Sequence, residues 1–113
     1  MSSDPVDTNP DQYRVVMENE HVRVLEYRDQ PGDRTLPHAH PDSVMVTLSA
    51  FRRRLHAAGG TLDVALEAGL VRWLPAQTHA GENIGDTPTS VVFVELKGAG
   101  ATRDAGELGP TEG

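Results

Sequence analysis

Five histidines stand in this chain, His21, His38, His40, His56 and His79, and the group His38-Ala39-His40 is the informative one. On a β-strand, residues i and i+2 project to the same face, so two imidazoles with this spacing converge on one ion. Neutral imidazole is the commonest protein ligand for transition metals and suits Fe, Zn, Ni, Mn and Cu. The expected cofactor is therefore one divalent transition metal, with the choice among those five left open. A third ligand has to come from elsewhere. His79 is the candidate, because it opens another β-like segment after the turn at Pro75. Taken alone, the His-x-His pair reads as easily as two solvated side chains on a polar loop, and His79 as a hydrogen-bonded strand residue. His21 lies among Glu18, Asn19 and Glu20 and reads as solvated. His56 ends an arginine-rich segment and reads as exposed. Neither is assigned to the metal.

Other chemistries lack their residues. The chain has no cysteine, which removes disulfides, thiolate metal sites and cysteine nucleophiles. No serine nucleophile elbow, P-loop or dinucleotide fingerprint is present. The formal net charge is −7, and much of it sits near the termini, in Asp4, Asp7 and Asp11 and in Asp104, Glu107 and Glu112. The stretch 13–97 is nearly balanced. Phosphate binding needs a basic stripe, and Arg52-Arg53-Arg54 is too short to supply one, so a nucleic-acid partner is not expected. No apolar run approaches the ~20 residues needed to span a membrane, and Met1-Ser2-Ser3-Asp4-Pro5 lacks the features of a signal peptide. A cytoplasmic location is the expectation.

The elements that must position the histidines are β almost throughout. The segments 21–27, 44–48, 51–56, 61–64, 70–74 and 91–96 are β-branched, alternating or both, and the last reads as a central strand. Turn signals fall at Pro31-Gly32, Gly59-Gly60, Ala68-Gly69, Gly85-Asp86 and Thr87-Pro88. No helix of three turns is predicted. About seven to nine short strands at this spacing imply one all-β sandwich or barrel over residues 13–97. Residues 1–12 and 98–113 read as flexible tails, because neither holds enough apolar surface to offset the entropy of ordering.

With these blocks in place, the sequence resembles the cupin family. Gly32-(x5)-His38-x-His40 has the spacing of the first cupin motif. Gly69-(x5)-Pro75, followed by His79-(x3)-Asn83, resembles the second. The likeness runs from about Val22 to about Leu96. It implies an antiparallel jelly-roll barrel with the metal inside, and it carries His38, His40 and His79 over as metal ligands.

Two departures bear on the chemistry. The first motif normally supplies a glutamate after its second histidine. Here Pro41-Asp42-Ser43-Val44-Met45 follows, and aligning the next strand puts Ser43 near that place. The second motif's usual glycine is replaced by Gln77, in a turn one residue shorter. The expected site is three histidines plus waters, with Asp42 or Gln77 as alternative fourth ligands or as partners that fix an imidazole tautomer. Without a protein carboxylate the ion stays a stronger Lewis acid and favours anionic or chelating ligands. The expected function is metal-dependent chemistry on a small polar or anionic molecule, dioxygenase-like first, isomerase or lyase next. A non-catalytic binding module is the alternative, and a metal-free structural domain a third reading. No general base stands out; Asp42 is nearest. If Ser43 faces inward, so do Met45 and Thr47, while Val44, Val46 and Leu48 face outward and need cover, which suggests a homodimer. Trp73 reads equally as pocket wall or ordinary buried aromatic. The arginine run reads as edge-strand protection, and Asn83 as a residue that ties a turn.

Overall fold

The computed structural model describes residues 2–98 and 108–111. One short helix, α1 (Pro5–Thr8), precedes nine strands: β1 (Tyr13–Glu18), β2 (Val22–Asp29), β3 (His38–His40), β4 (Ser43–Thr47), β5 (Phe51–Ala57), β6 (Gly60–Leu66), β7 (Val71–Leu74), β8 (Gln77–Asn83) and β9 (Thr89–Leu96). They form two antiparallel sheets, β1-β2-β9-β4-β7 and β3-β8-β5-β6. The jelly-roll arrangement expected from sequence is the one observed, and β9 is central, between β2 and β4.

Most of the barrel is one rolled ribbon. His38 faces His79, Ser43 faces Leu74, Phe51 faces Leu66 and Ala57 faces Gly60. Each step forward on one arm matches one step back on the other, without slip, from the tip at residues 57–60 to the open end. The tip needs Gly60, whose φ is +136°, a conformation costly for residues with a Cβ. The ribbon bends between sheets at Pro41 and Pro75. At that corner the Asp42 carboxylate accepts from the Ala76 N–H at 2.8 Å.

Alternation separates the two faces. Leu25, Tyr27 and Asp29, Ser43, Met45 and Thr47, and Val91, Phe93 and Glu95 are buried inside the barrel. Val44 and Val46 are only half-buried, and Leu48 and Val71 are exposed. The inward parity expected for Ser43, Met45 and Thr47 holds. Tyr13, Leu25, Tyr27, Met45, Phe51, Leu74, Val91 and Phe93 make the apolar core.

The structure differs from the sequence reading in three places. The N-terminal stretch, expected as a tail, lies on the barrel. Asp4 caps α1 by accepting from Val6 N–H at 2.9 Å, and the Ser3 carbonyl accepts from the Ala39 N–H at 2.7 Å. The Ser3–Ala39 bond and the Asp4–Arg23 ion pair hold a helix too short to form by itself. Second, β5 is no edge strand, because it lies between β8 and β6. Arg53 is buried and points inward, by the same parity as Phe51 and Leu55. Third, the expected C-terminal tail falls largely outside the described residues, but Thr111 pairs with Trp73 and the Gly109 N–H donates to Gln77 Oε1 at 2.8 Å. Among the described residues no helix is long and apolar enough to cross a membrane.

Candidate metal centre

The register brings the three sequence-predicted residues together. His38 and His40 lie on one face of β3, and His79 on β8 is His38's direct cross-strand partner. All three are buried, and their ring centroids are 4.8, 4.9 and 5.0 Å apart. One nitrogen from each lies within 4.8 Å of the others, a group that can hold a metal ion. His21 and His56 stay outside it, exposed beside Glu20 and Glu82.

Hydrogen bonds set the tautomers. His38 Nδ1 lies 2.7 Å from the Leu36 carbonyl, which only accepts, so the Nδ1–H donates and Nε2 is left bare. His79 Nδ1 lies 2.7 Å from Gln77 Oε1, with the same result. Gln77 is thus the partner that orients an imidazole, one of the two roles open to it from sequence. Asp42 is occupied at the ribbon corner. Burial, reinforced by the neighbouring imidazoles, holds His40 and His79 well below the ordinary histidine value of 6.5; burial also lowers His38. Three buried rings, two of them left bare at Nε2, are a donor set that suits a divalent transition ion.

The sequence reading missed Tyr13. Its hydroxyl sits 3.3 Å from His38 Nε2 and 3.4 Å from His40 Nε2. Burial raises the phenol well above 10.0, so it keeps its proton. It missed Asn9 too, whose side chain braces the loop before β3 by accepting from Leu36 N–H at 2.7 Å and donating to the Leu36 carbonyl at 3.1 Å. Phe93 stacks on His40 at 5.2 Å.

A cavity of about 50 Å³ adjoins the triad, lined by Tyr13, His38, His79, Met45, Phe93 and Arg53 among others. Trp73 does not line it; it is half-buried, opposite Val44 on the outer face. Behind the cavity Arg53 pairs with Asp29 and lies over the Tyr27 ring, 4.9 Å from its centroid. Tyr27 and Asn83 also donate to Asp29, at 2.5 and 3.0 Å. Burial alone would raise the Asp29 carboxyl, but the Arg53 charge and these donors outweigh it and hold it below 3.8. Asn83 does tie its turn, accepting from Gly85 N–H at 3.0 Å.

No family model matches the sequence, and no curated protein matches it. Solved structures do. A cupin domain from Bordetella pertussis Tohama I is 31% identical, with 76% of this chain and 92% of that one covered and a TM-score of 0.72. The chain is a cupin. A protein with a double-stranded β-helix domain from Klebsiella pneumoniae is 26% identical over 78% of this cupin and 77% of that chain, TM-score 0.62. A cupin 2 conserved barrel domain protein from Salinispora arenicola shares the fold at 20% identity, covering 80% and 77% of the two chains, TM-score 0.57.

Proposed function

We propose that this cupin binds one divalent transition metal through Nε2 of His38, His40 and His79 and uses it on a small polar or anionic molecule, with oxygenation as the leading reaction and isomerisation or lyase chemistry next. The observation that carries this is the convergence of the three imidazoles, two of them with Nδ1–H already engaged, beside a small cavity. When bound, the ion supplies Lewis acidity and a template for a chelating substrate. The chain's own groups do the rest. Tyr13 stays protonated and donates a hydrogen bond to an oxygen placed among the three Nε2 atoms. Phe93 and Met45 exclude water. Arg53 contributes positive potential from behind, moderated by Asp29.

The cavity volume supports a small ligand. At about 10–15 Å³ of such volume per water, about 50 Å³ takes roughly three to five waters. The same tightness favours a second reading, a non-catalytic metal or small-molecule binding module. The decisive experiment is elemental analysis of untagged protein beside His38→Ala and His79→Ala. Near-stoichiometric metal in the parent, lost in both folded variants, is the expected result. Oxygen uptake with small carboxylates and diketones then separates the enzyme from the binding module. A parent that holds none of Fe(II), Mn, Ni, Cu or Zn after reloading overturns the metal-dependent reading and leaves a small-molecule binding or structural module.

A homodimer belongs to the same proposal. Met17, Val24, Val94, Val44 and Trp73 form one row across the five-stranded sheet, by the register of its strands. Light scattering on the parent is expected to give twice the chain mass, and Val44→Asp a single chain.

A further inference from the structure

Among the described residues, two buried side-chain atoms lack any hydrogen-bond partner, His40 Nδ1 and Glu95 Oε2. They face each other, 3.7 Å apart. An unsatisfied buried polar group is costly, so two of them aimed at one another call for an explanation. The other two imidazoles show what is missing. His38 gives its Nδ1–H to a backbone carbonyl and His79 to an amide oxygen. His40 alone has its Nδ1 opposite a carboxylate and just short of it.

We infer that Glu95 is the positioning residue for His40, accepting its Nδ1–H when Nε2 takes a metal, so that the centre gains a carboxylate–histidine–metal relay. This rests on the metal-binding reading above. Three further facts support it. Glu95 is 3% exposed and points into the barrel. Its other oxygen is fixed, because Arg23 Nε donates to Oε1 at 2.8 Å and the same guanidinium pairs with Asp4 at 2.9 Å. The carboxylate is therefore held from behind while Oε2 is left for His40. Finally, Glu95 is the direct cross-strand partner of Ser43, the residue standing near the glutamate position of the first cupin motif. This chain keeps a carboxylate at that level of the barrel, but on the neighbouring strand and one imidazole removed from the ion. A ring nitrogen that donates to a carboxylate is a more basic ligand, and loss of such partners typically weakens metal affinity 10–100-fold.

The test is Zn²⁺ and Co²⁺ titration against a competing chelator for the parent, Glu95→Gln and Glu95→Ala, with exposed Glu67→Gln as control. Glu95→Gln keeps the shape and an acceptor but removes the charge, which keeps the test open if the alanine variant does not fold. We expect affinity roughly 10-fold weaker or more in Glu95→Ala, a smaller loss in Glu95→Gln and no change in the control. In the Zn²⁺-loaded parent, imidazole ¹⁵N spectra should show His40 bound through Nε2 with an exchange-protected Nδ1–H, and that protection should vanish in Glu95→Ala. A parent that loads metal while both Glu95 variants bind within twofold of it, or His40 found ligating through Nδ1, overturns the inference and leaves the metal site standing. A parent that takes up no metal overturns both.

Discussion

Two buried polar clusters share the interior of this barrel, and they are built on opposite plans. Around Arg53, the guanidinium, the Asp29 carboxylate, the Tyr27 hydroxyl and the Asn83 amide satisfy one another. Around the histidine triad, His38 and His79 are left bare at Nε2, and His40 Nδ1 and Glu95 Oε2 are left unpaired. The first cluster is complete with the chain's own atoms. The second leaves polar atoms that the chain itself does not pair. A closed network rigidifies a core, whereas an open one marks where the chain gives up stability for a ligand.

The sharpest way to break the contrast is Arg53→Ala. It strands Asp29 as a buried, uncompensated charge, and such losses cost about 3–5 kcal/mol. Urea unfolding of the metal-free protein should show that loss. Next comes Gly81→Ala, whose new Cβ would collide with Arg53 Nη2. Overpacking of this kind costs about 1–3 kcal/mol, read by thermal unfolding. Third is acid. The triad histidines titrate below 6.5 in the native state, so below that pH the unfolded chain takes up protons that the native protein refuses. Metal-free stability should fall as pH drops from about 6.5, by at most about 1.4 kcal/mol per pH unit per histidine, and level off below the native values. Asp29 behaves differently: its carboxyl is held below 3.8, so its contribution is intact above about 3.8 and is lost as pH falls from there through the lower native value. Denaturant titrations from about pH 7.5 to pH 5 should therefore report mainly the triad, opposed toward the acid end by Glu95, whose carboxyl burial raises above 4.5. The smallest effect is expected from His38→Leu. The Leu36 carbonyl keeps its Asn9 donor, so no new orphan appears, and metal-free stability should change by less than about 1.5 kcal/mol while metal binding is lost.

The same contrast explains what was legible in the sequence. The all-β barrel and the triad were, because alternation, glycine turns and the His-x-His spacing are local signals and the likeness to the second motif supplied His79. Arg53, Asp29 and Glu95 carried a weaker signal. Each shares the parity of inward apolar neighbours, as Arg53 does with Phe51 and Leu55, but a charge at such a position reads as solvated until its partner on another strand is known. Tyr13 begins β1, which is mostly exposed and bulged between Val15 and Met17, so the strand has no clean alternation to read. The N-terminal segment was illegible for a different reason: Asn9 and Asp4 are polar residues whose partners, Leu36 and Arg23, lie far along the chain.

The unslipped ribbon has one more consequence, for the order of assembly. Its rungs close progressively larger loops outward from the tip, and loop closure costs entropy that grows with loop length. The His38–His79 rung is the last unslipped one, with the isolated Arg34–Glu82 bridge beyond it, so in a zippering sequence it forms late and frays early. An ion held across it would clamp the ends where chain entropy pulls hardest. Metal would then act as a latch on the whole ribbon, slowing its opening as well as equipping its interior.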